Sequence, residues 1–217
     1  MIPDITIACV KWQDGSPHFG GRGAEYVNRL YAGVCRHVHR HAIDFVCFTD
    51  SPEGIRPEVR LLPLPNGLWG SWPKIGLFAR TLPGVRTERL LYFDLACVIV
   101  GELDTVIDLA ADFAICRDWP PEMHPDDAGY ASGAFLLRIG SRPLVAEAYG
   151  GDPEALRGDQ DWITQSAPGA VLFPYDWTPS YKLRNLRACP PDAKWIMFHG
   201  RPKPHECGGW IDEHWRD

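Results

Sequence analysis

The strongest constraint on the fold lies in the first fifty residues. "DITIACVKW" (4–12) alternates into an apolar run and predicts a strand. "QDGSPHFGGRG" (13–23) follows as a long Gly-rich loop. "AEYVNRLYAGVCRHVHRH" (24–41) places Tyr26, Val27, Leu30, Tyr31, Val34 and Val38 at the helical period. Its basic last turn complements the negative end of a helix. "IDFVCFTD" (43–50) predicts a second buried strand. Strand, loop, helix and strand in that order make a βαβ unit, which requires a parallel pair joined by a right-handed crossover. The chain is therefore expected to be α/β, with a mostly parallel central sheet flanked by helices.

The remainder continues the pattern. Strands are expected over 59–65, 90–93, 97–100, 112–116, 130–140, 170–173 and 194–200. Helices are expected over 72–82, with Pro73 in the first turn, and over 142–150, 158–167 and 210–215. No internal repeat, low-complexity tract or linker interrupts the 217 residues, so one domain over 1–217 is the simplest reading.

Composition narrows the function classes. The formal net charge of -6 argues against a nucleic-acid partner, which wants a basic face. Seven cysteines, an odd number with no C-x-x-C pair, fit a reducing cytoplasm, and Cys9, Cys47, Cys97 and Cys116 sit in apolar runs as small hydrophobes. No apolar run approaches the roughly 18 residues of a membrane span. No basic and apolar leader opens the sequence. Peripheral contact with a membrane surface stays open.

In an open parallel sheet, ligands bind beyond the carboxyl ends of the strands. Lys11, Asp50, Asp94 and His199 all fall at such ends. Asp50, in "TDSPEG", reads as a turn residue. Asp94 is the most pointed of the four. "RLLYFDLACVIVG" (89–101) sets one carboxylate between two hydrophobic runs, and a buried lone carboxylate is costly without a cation or hydrogen bonds. The cluster His37, His39 and His41 reads as a solvated helix end with no acid in the nearby sequence. The tryptophans Trp69, Trp72, Trp119, Trp177, Trp210 and Trp215 suit either packing or an acceptor platform.

"LLYFDLACVIVGELD" resembles the Asp-x-Asp segment of GT-A glycosyltransferases, most nearly family 8. Four further segments resemble that family in the same order: "WPKIGLF", "YASGAFLLRIG", "GDQDWIT" and "FHGRPKPHE". The resemblance runs from about residue 5 to residue 206. It implies a GT-A fold and transfer of a hexose from a nucleoside-diphosphate sugar, expected to be UDP-linked, to a hydroxyl acceptor. That acceptor would be a saccharide, a lipid-linked glycan or a protein. It implies that Lys74, Asp94, Gly200 and Lys203 contact the donor. Ala8, Cys9 and Lys11 of the first strand would line the base and ribose. Asp159, Gln160 and Asp161 would open a helix beside the reaction centre, where Asp159 also suits an N-cap. A divalent cation, manganese or magnesium, would be held by Asp94 and His199, since hard cations want oxygen-rich ligands and the leaving diphosphate gains charge in the transition state.

Three positions depart from the family pattern. Ala96 stands where the second Asp of Asp-x-Asp belongs, and a methyl group cannot ligate a cation. Ala131 stands where the pattern carries Asn. His199 directly precedes Gly200 rather than lying three residues before it. A two-residue offset on a strand keeps the same face, so His199 remains a candidate ligand. Three readings follow: weak metal binding, metal-independent transfer using Lys74 and Lys203, or lost activity. The alternative to an enzyme is a noncatalytic nucleotide-sugar-binding protein of the same fold. A nucleotidyltransferase ranks last, because "DGSPHFGGRGAEY" lacks a P-loop pattern.

Overall fold

A computed structural model describes residues 2–12, 23–65, 72–118, 129–150, 156 and 158–217. β1 (Ile5–Lys11), α1 (Gly23–His37) and β2 (Ile43–Thr49) form the expected βαβ unit. β1 and β2 pair in parallel from Ile5 opposite Ile43 to Lys11 opposite Thr49. β3 (Arg60–Leu62) extends the sheet on one side, parallel to β2. β4 (Arg89–Phe93) lies on the other side, parallel to β1. The sheet then continues through β7 (Tyr130–Arg138), β6 (Phe113–Arg117) and β8 (Val171–Leu172), in the order β3-β2-β1-β4-β7-β6-β8. β7 runs antiparallel to both β4 and β6.

Period-2 alternation divides the core between the two faces of this sheet. Ile5, Ile7 and Cys9 of β1 pack with Tyr26, Val27, Leu30 and Val34 of α1. Ala8 and Val10 face the opposite side, with Phe48, Phe78 and Phe135. Both faces are covered, so the central strands read as continuous apolar runs rather than as alternating ones. β4 is an example: Leu90, Leu91, Tyr92 and Phe93 are all buried.

Three features differ from the sequence expectation. The expected helix over 72–82 is a tighter 3-10 turn over Trp72–Phe78, buried at every residue. α1 stops at His37, and the acids missing from its neighbourhood in sequence arrive in space. Asp104 accepts from the backbone N–H groups of His39 and Arg40, while Asp108 pairs with Arg40 and His41. The third difference concerns the strands expected over 97–100 and 194–200. β5 (Cys97–Ile99) and β9 (Trp195–Met197) leave the main sheet and pair antiparallel with each other as a two-stranded sheet. Gly101 lets the chain cross there, since a Cβ at that position would sit 2.2 Å from the Ala193 carbonyl oxygen.

Among the described residues lie three short α-helices, α2 (Asp104–Ile107), α3 (Leu144–Glu147) and α5 (Trp210–His214), and the 3-10 turns Tyr175–Trp177 and Pro204–Glu206. α4 (Asp159–Ser166) is longer and packs over β7. Among the described residues, no helix is long and apolar enough to cross a membrane. All seven cysteines are free thiols.

Candidate active site

Direction of pairing builds the site. β4 ends at Phe93, and Phe93 sits opposite Ala134 of the antiparallel β7. The carboxyl end of β4 therefore meets the start of β7, Ala131-Ser132-Gly133. The Asp94 N–H donates to the Gly133 carbonyl at 2.7 Å, which fixes the acid at that junction. β9 runs back alongside β5, with Met197 opposite Cys97, so the residues after β9 return to Asp94 from the second sheet. Phe198 and His199 thus reach the same place by a route the sequence did not indicate.

A cavity of about 370 Å³ opens at this junction. Its walls include Lys74, Asp94, Ser132, Asp159, Gln160 and His199. Lys74 is the centre of the polar network. Its Nζ lies 3.0 Å from Asp94 Oδ1, 3.0 Å from Asp159 Oδ2 and 3.2 Å from Ser132 Oγ. The Lys74 side chain is buried, as is Asp159, whereas Asp94 is 41% exposed toward the cavity. Burial alone would push the Lys74 ammonium down in pKa, but Asp159 and Asp94 more than reverse it and hold the group well above the ordinary lysine value. Tyr92 donates its hydroxyl to Asp94 Oδ1 at 2.6 Å. Burial, and then the Asp94 charge, keep that phenol protonated. The same two causes raise the Cys97 thiol well above its usual range, so it lines the cavity as a neutral group.

Asp159 is not the cap of its helix. Gly158 takes the N-cap position with no side-chain bond, and Asp159 is the first helical residue, turned onto Lys74. Gln160 points its amide toward Asp118, donating at 3.4 Å. Asp161 lies outside the cavity wall. On the far side, His199 Nε2 and Ser180 Oγ are 2.9 Å apart. Burial, then Lys182 and Lys203, push the His199 imidazole below its ordinary pKa. It is therefore neutral at physiological pH. Lys203 is also pushed down by burial, while Asp94 acts in the opposite direction, so the two groups lie within Coulombic reach. Gly200 is exposed, with φ of 63°, beyond the cavity rim.

Other expected contacts are not brought to the cavity. Ala8 and Cys9 are fully buried in the core and present no side-chain surface to a nucleotide. Lys11 instead donates to the carbonyl and the hydroxyl of Ser51. Trp72 stacks on Tyr149, with ring centroids 5.0 Å apart, and Trp215 is buried beneath the Arg29 guanidinium. Trp177 and Trp210 pack against the core, whereas Trp69 and Trp119 lie outside the described residues. Sequence reasoning missed Ser180, Leu183, Asp118 and Met197 as cavity residues. Asp118 follows β6 at the same edge, but the expected strand ended at Cys116. The turn carrying Ser180 and Leu183 has no local signature.

A divalent cation does not fit the donor set. Both Asp94 oxygens face Lys74, at 3.0 and 3.3 Å, and one also takes the Tyr92 hydroxyl. His199 Nε2 engages Ser180, and Ala96 offers only a buried methyl group. Among the described residues, no three His, Cys, Asp or Glu side chains converge to hold a metal. The expectation that Asp94 and His199 form a metal centre is therefore not supported by their surroundings.

No protein-family model and no curated protein matches the chain's sequence. Its fold does match solved structures. Glycosyltransferase GlyE of Streptococcus pneumoniae TIGR4 superposes with a TM-score of 0.65 at 11% identity, over 93% of this chain and 56% of GlyE. The chain thus spans little more than half the length of that protein. The galactosyltransferase LgtC, crystallised with donor and acceptor sugar analogs, gives a TM-score of 0.63 at 12% identity, over 92% of this chain and 88% of LgtC. The bifunctional glycosyltransferase WbbM gives 0.65 at 13% identity, over 94% of this chain and 47% of WbbM. The fold is that of the GT-A glycosyltransferases.

Proposed function

We propose that this chain transfers a hexose from a nucleoside-diphosphate sugar, UDP-linked in our reading, to a hydroxyl of a saccharide, lipid-linked glycan or protein. We read residues 1–217 as one domain acting in a reducing cytoplasm. One observation carries the reading: Lys74, Asp94 and Asp159 converge with Gln160 on a cavity at the carboxyl edge of a GT-A sheet. Fold alone does not give activity. This network supplies the polar, pre-ordered site that group transfer needs.

The chemistry follows from charge. The bond between the sugar's anomeric carbon and the diphosphate oxygen breaks, and its electron pair leaves with the diphosphate. The acceptor oxygen bonds the anomeric carbon, and its proton passes to the departing phosphate oxygen. Negative charge grows on the diphosphate, and positive charge grows on the sugar ring. Groups that meet these charges only as they develop lower the barrier. Asp94 and Asp159 lie on the sugar side of our reading and steady the ring charge. Lys74 fixes both carboxylates in one geometry, because any drift strands a buried ammonium. Gln160 orients a hydroxyl of donor or acceptor. Asp161 stands outside the cavity wall and has no role in this scheme. Retention of anomeric configuration is what the family 8 resemblance implies.

The test is product formation. The protein is incubated with UDP- and GDP-hexoses and a mixed panel of glycan acceptors, with mass spectrometry of the products. Hexose addition by the wild type, reduced about 100-fold or more in Asp159→Asn, is the expected result. Donor binding with no turnover on any acceptor would instead favour a noncatalytic sugar-nucleotide-binding protein.

A further inference from the structure

We infer that the hollow beside Asp94 reads its donor sugar through hydroxyl protons and rejects a sugar that carries a carboxylate, so a hexose is accepted and a hexuronic acid is not. The inference rests on the donor reading above and narrows the class of sugar.

Lys74 has no hydrogen left for a ligand. An ammonium donates three N–H bonds. Those of Lys74 meet Asp94 Oδ1 at 3.0 Å, Asp159 Oδ2 at 3.0 Å and Ser132 Oγ at 3.2 Å. Its side chain is buried, whereas Asp94 is exposed toward the cavity. A ligand therefore meets the carboxylate rather than the ammonium. Turning Lys74 outward to a substrate carboxylate would strand the buried Asp159. One ammonium between two carboxylates also leaves this network with a net negative charge.

The neighbours of Asp94 aim it. Oδ1 accepts from the Tyr92 hydroxyl at 2.6 Å as well as from Lys74. Oδ2 lies 3.3 Å from Lys74 Nζ and beside Gly133. A Cβ at Gly133 would come within 3.8 Å of that oxygen and 3.5 Å of Met197 Sδ. The bare glycine thus leaves room for a ligand atom between the acid and the second sheet. That side of the cavity is apolar, with Cys97, Leu183, Met197 and Phe198. The Cys97 thiol donates to the Gly133 carbonyl at 3.4 Å. Among the described residues of the lining, Lys74 is the one lysine or arginine. Apolar walls leave like charges poorly screened. A sugar hydroxyl gives Asp94 a charge-assisted hydrogen bond. A sugar carboxylate would face the same oxygen with no cation to balance it, and like charges set together cost several kcal/mol. In the donor reading Asp94 and Asp159 face the sugar, so this repulsion discriminates between sugars.

Calorimetric titration of the full chain with UDP-glucose, UDP-galactose, UDP-glucuronate and UDP-galacturonate tests this, with GDP-mannose and GDP-mannuronate as a second nucleotide pair. The tightest-binding hexose should bind at least about tenfold more tightly than its own uronate. Asp94→Asn removes the charge at nearly constant size, and Lys74 keeps Asp159 as its counter-charge. That variant should shrink the ratio by at least about threefold. A wild-type ratio below about tenfold overturns the inference and leaves the donor reading standing. A ratio that Asp94→Asn shrinks by less than about threefold also overturns it, since the discrimination then arises elsewhere. Failure of every nucleotide sugar to bind overturns the inference and the donor reading together.

Discussion

At the scale of single residues, the account turns on Lys74. The residue is 4% exposed, and an ion that deep costs several kcal/mol unless its partners are close and well placed. Asp94 and Asp159, each 3.0 Å away, meet that condition. Lys74→Met should therefore lower stability by about 3 kcal/mol, read as a shift in the urea midpoint, because it strands the buried Asp159 carboxylate. A change below about 1 kcal/mol would mean that water already compensates the pair. The raised pKa of Lys74 sets the pH window. A group whose folded pKa lies above its unfolded value keeps its full contribution below the unfolded value, near 10.5, and loses it only as pH climbs through the folded one. Neutral and mildly alkaline buffers should leave the contribution whole. The sequence indicated Asp94, since one acid ending an apolar strand is conspicuous, and Lys74 only through the resemblance of "WPKIGLF" to the family segment. It could not indicate that Asp159 turns from capping α4 to pairing with Lys74. That choice depends on the buried 3-10 turn packing against α4, a contact with no trace in local pattern.

At the scale of elements, periodicity carried most of the reading. β1, α1 and β2 were legible because a 3.6 period between two apolar runs allows few alternatives. The fate of β5 and β9 was not legible. Both are apolar and strand-like, and nothing local distinguishes a strand of the main sheet from one that leaves it after Asp94. This mattered for the site, since His199 reaches the cavity only because β9 pairs with β5. α5 offers a test of packing. It docks at the end of α1, where Arg36 donates to the His214 carbonyl at 2.7 Å. Burial, then His214, Arg36 and His39, hold the His37 imidazole below its ordinary range. Burial and the nearby Arg36 and Arg216 outweigh Glu213 and do the same for His214. Depressed pKa values mean that the docked helix excludes protons. Stability is then full above the ordinary histidine value and is lost as pH falls through the folded one. Hydrogen exchange in residues 210–215, corrected for intrinsic rate, should speed up between about pH 7 and about pH 5. His214→Gln should flatten that dependence, and an unchanged profile would place the acid-sensitive contact elsewhere.

At the scale of the whole molecule, the class was legible and one direction was not. A mostly parallel α/β sheet follows from the first fifty residues, and the resemblance to family 8 agrees with the solved GT-A structures that share the fold. The reversed β7 left no mark in the sequence, because an apolar strand reads the same whichever way it runs. Yet that reversal sets Ser132 and Gly133 against Asp94 and makes the pocket. Ala96 was conspicuous for the opposite reason: it broke a known pattern, and Lys74 and the Tyr92 hydroxyl now account for how Asp94 is compensated. The central claim is that the hollow beside Asp94 receives a sugar-nucleotide. A crystal structure of the protein with UDP tests it most directly. The account predicts the diphosphate within hydrogen-bond reach of Lys203, with Asp94, Asp159 and Gln160 facing the space beyond its terminal phosphate. Ordered UDP seated elsewhere, with this hollow left to solvent, would contradict it.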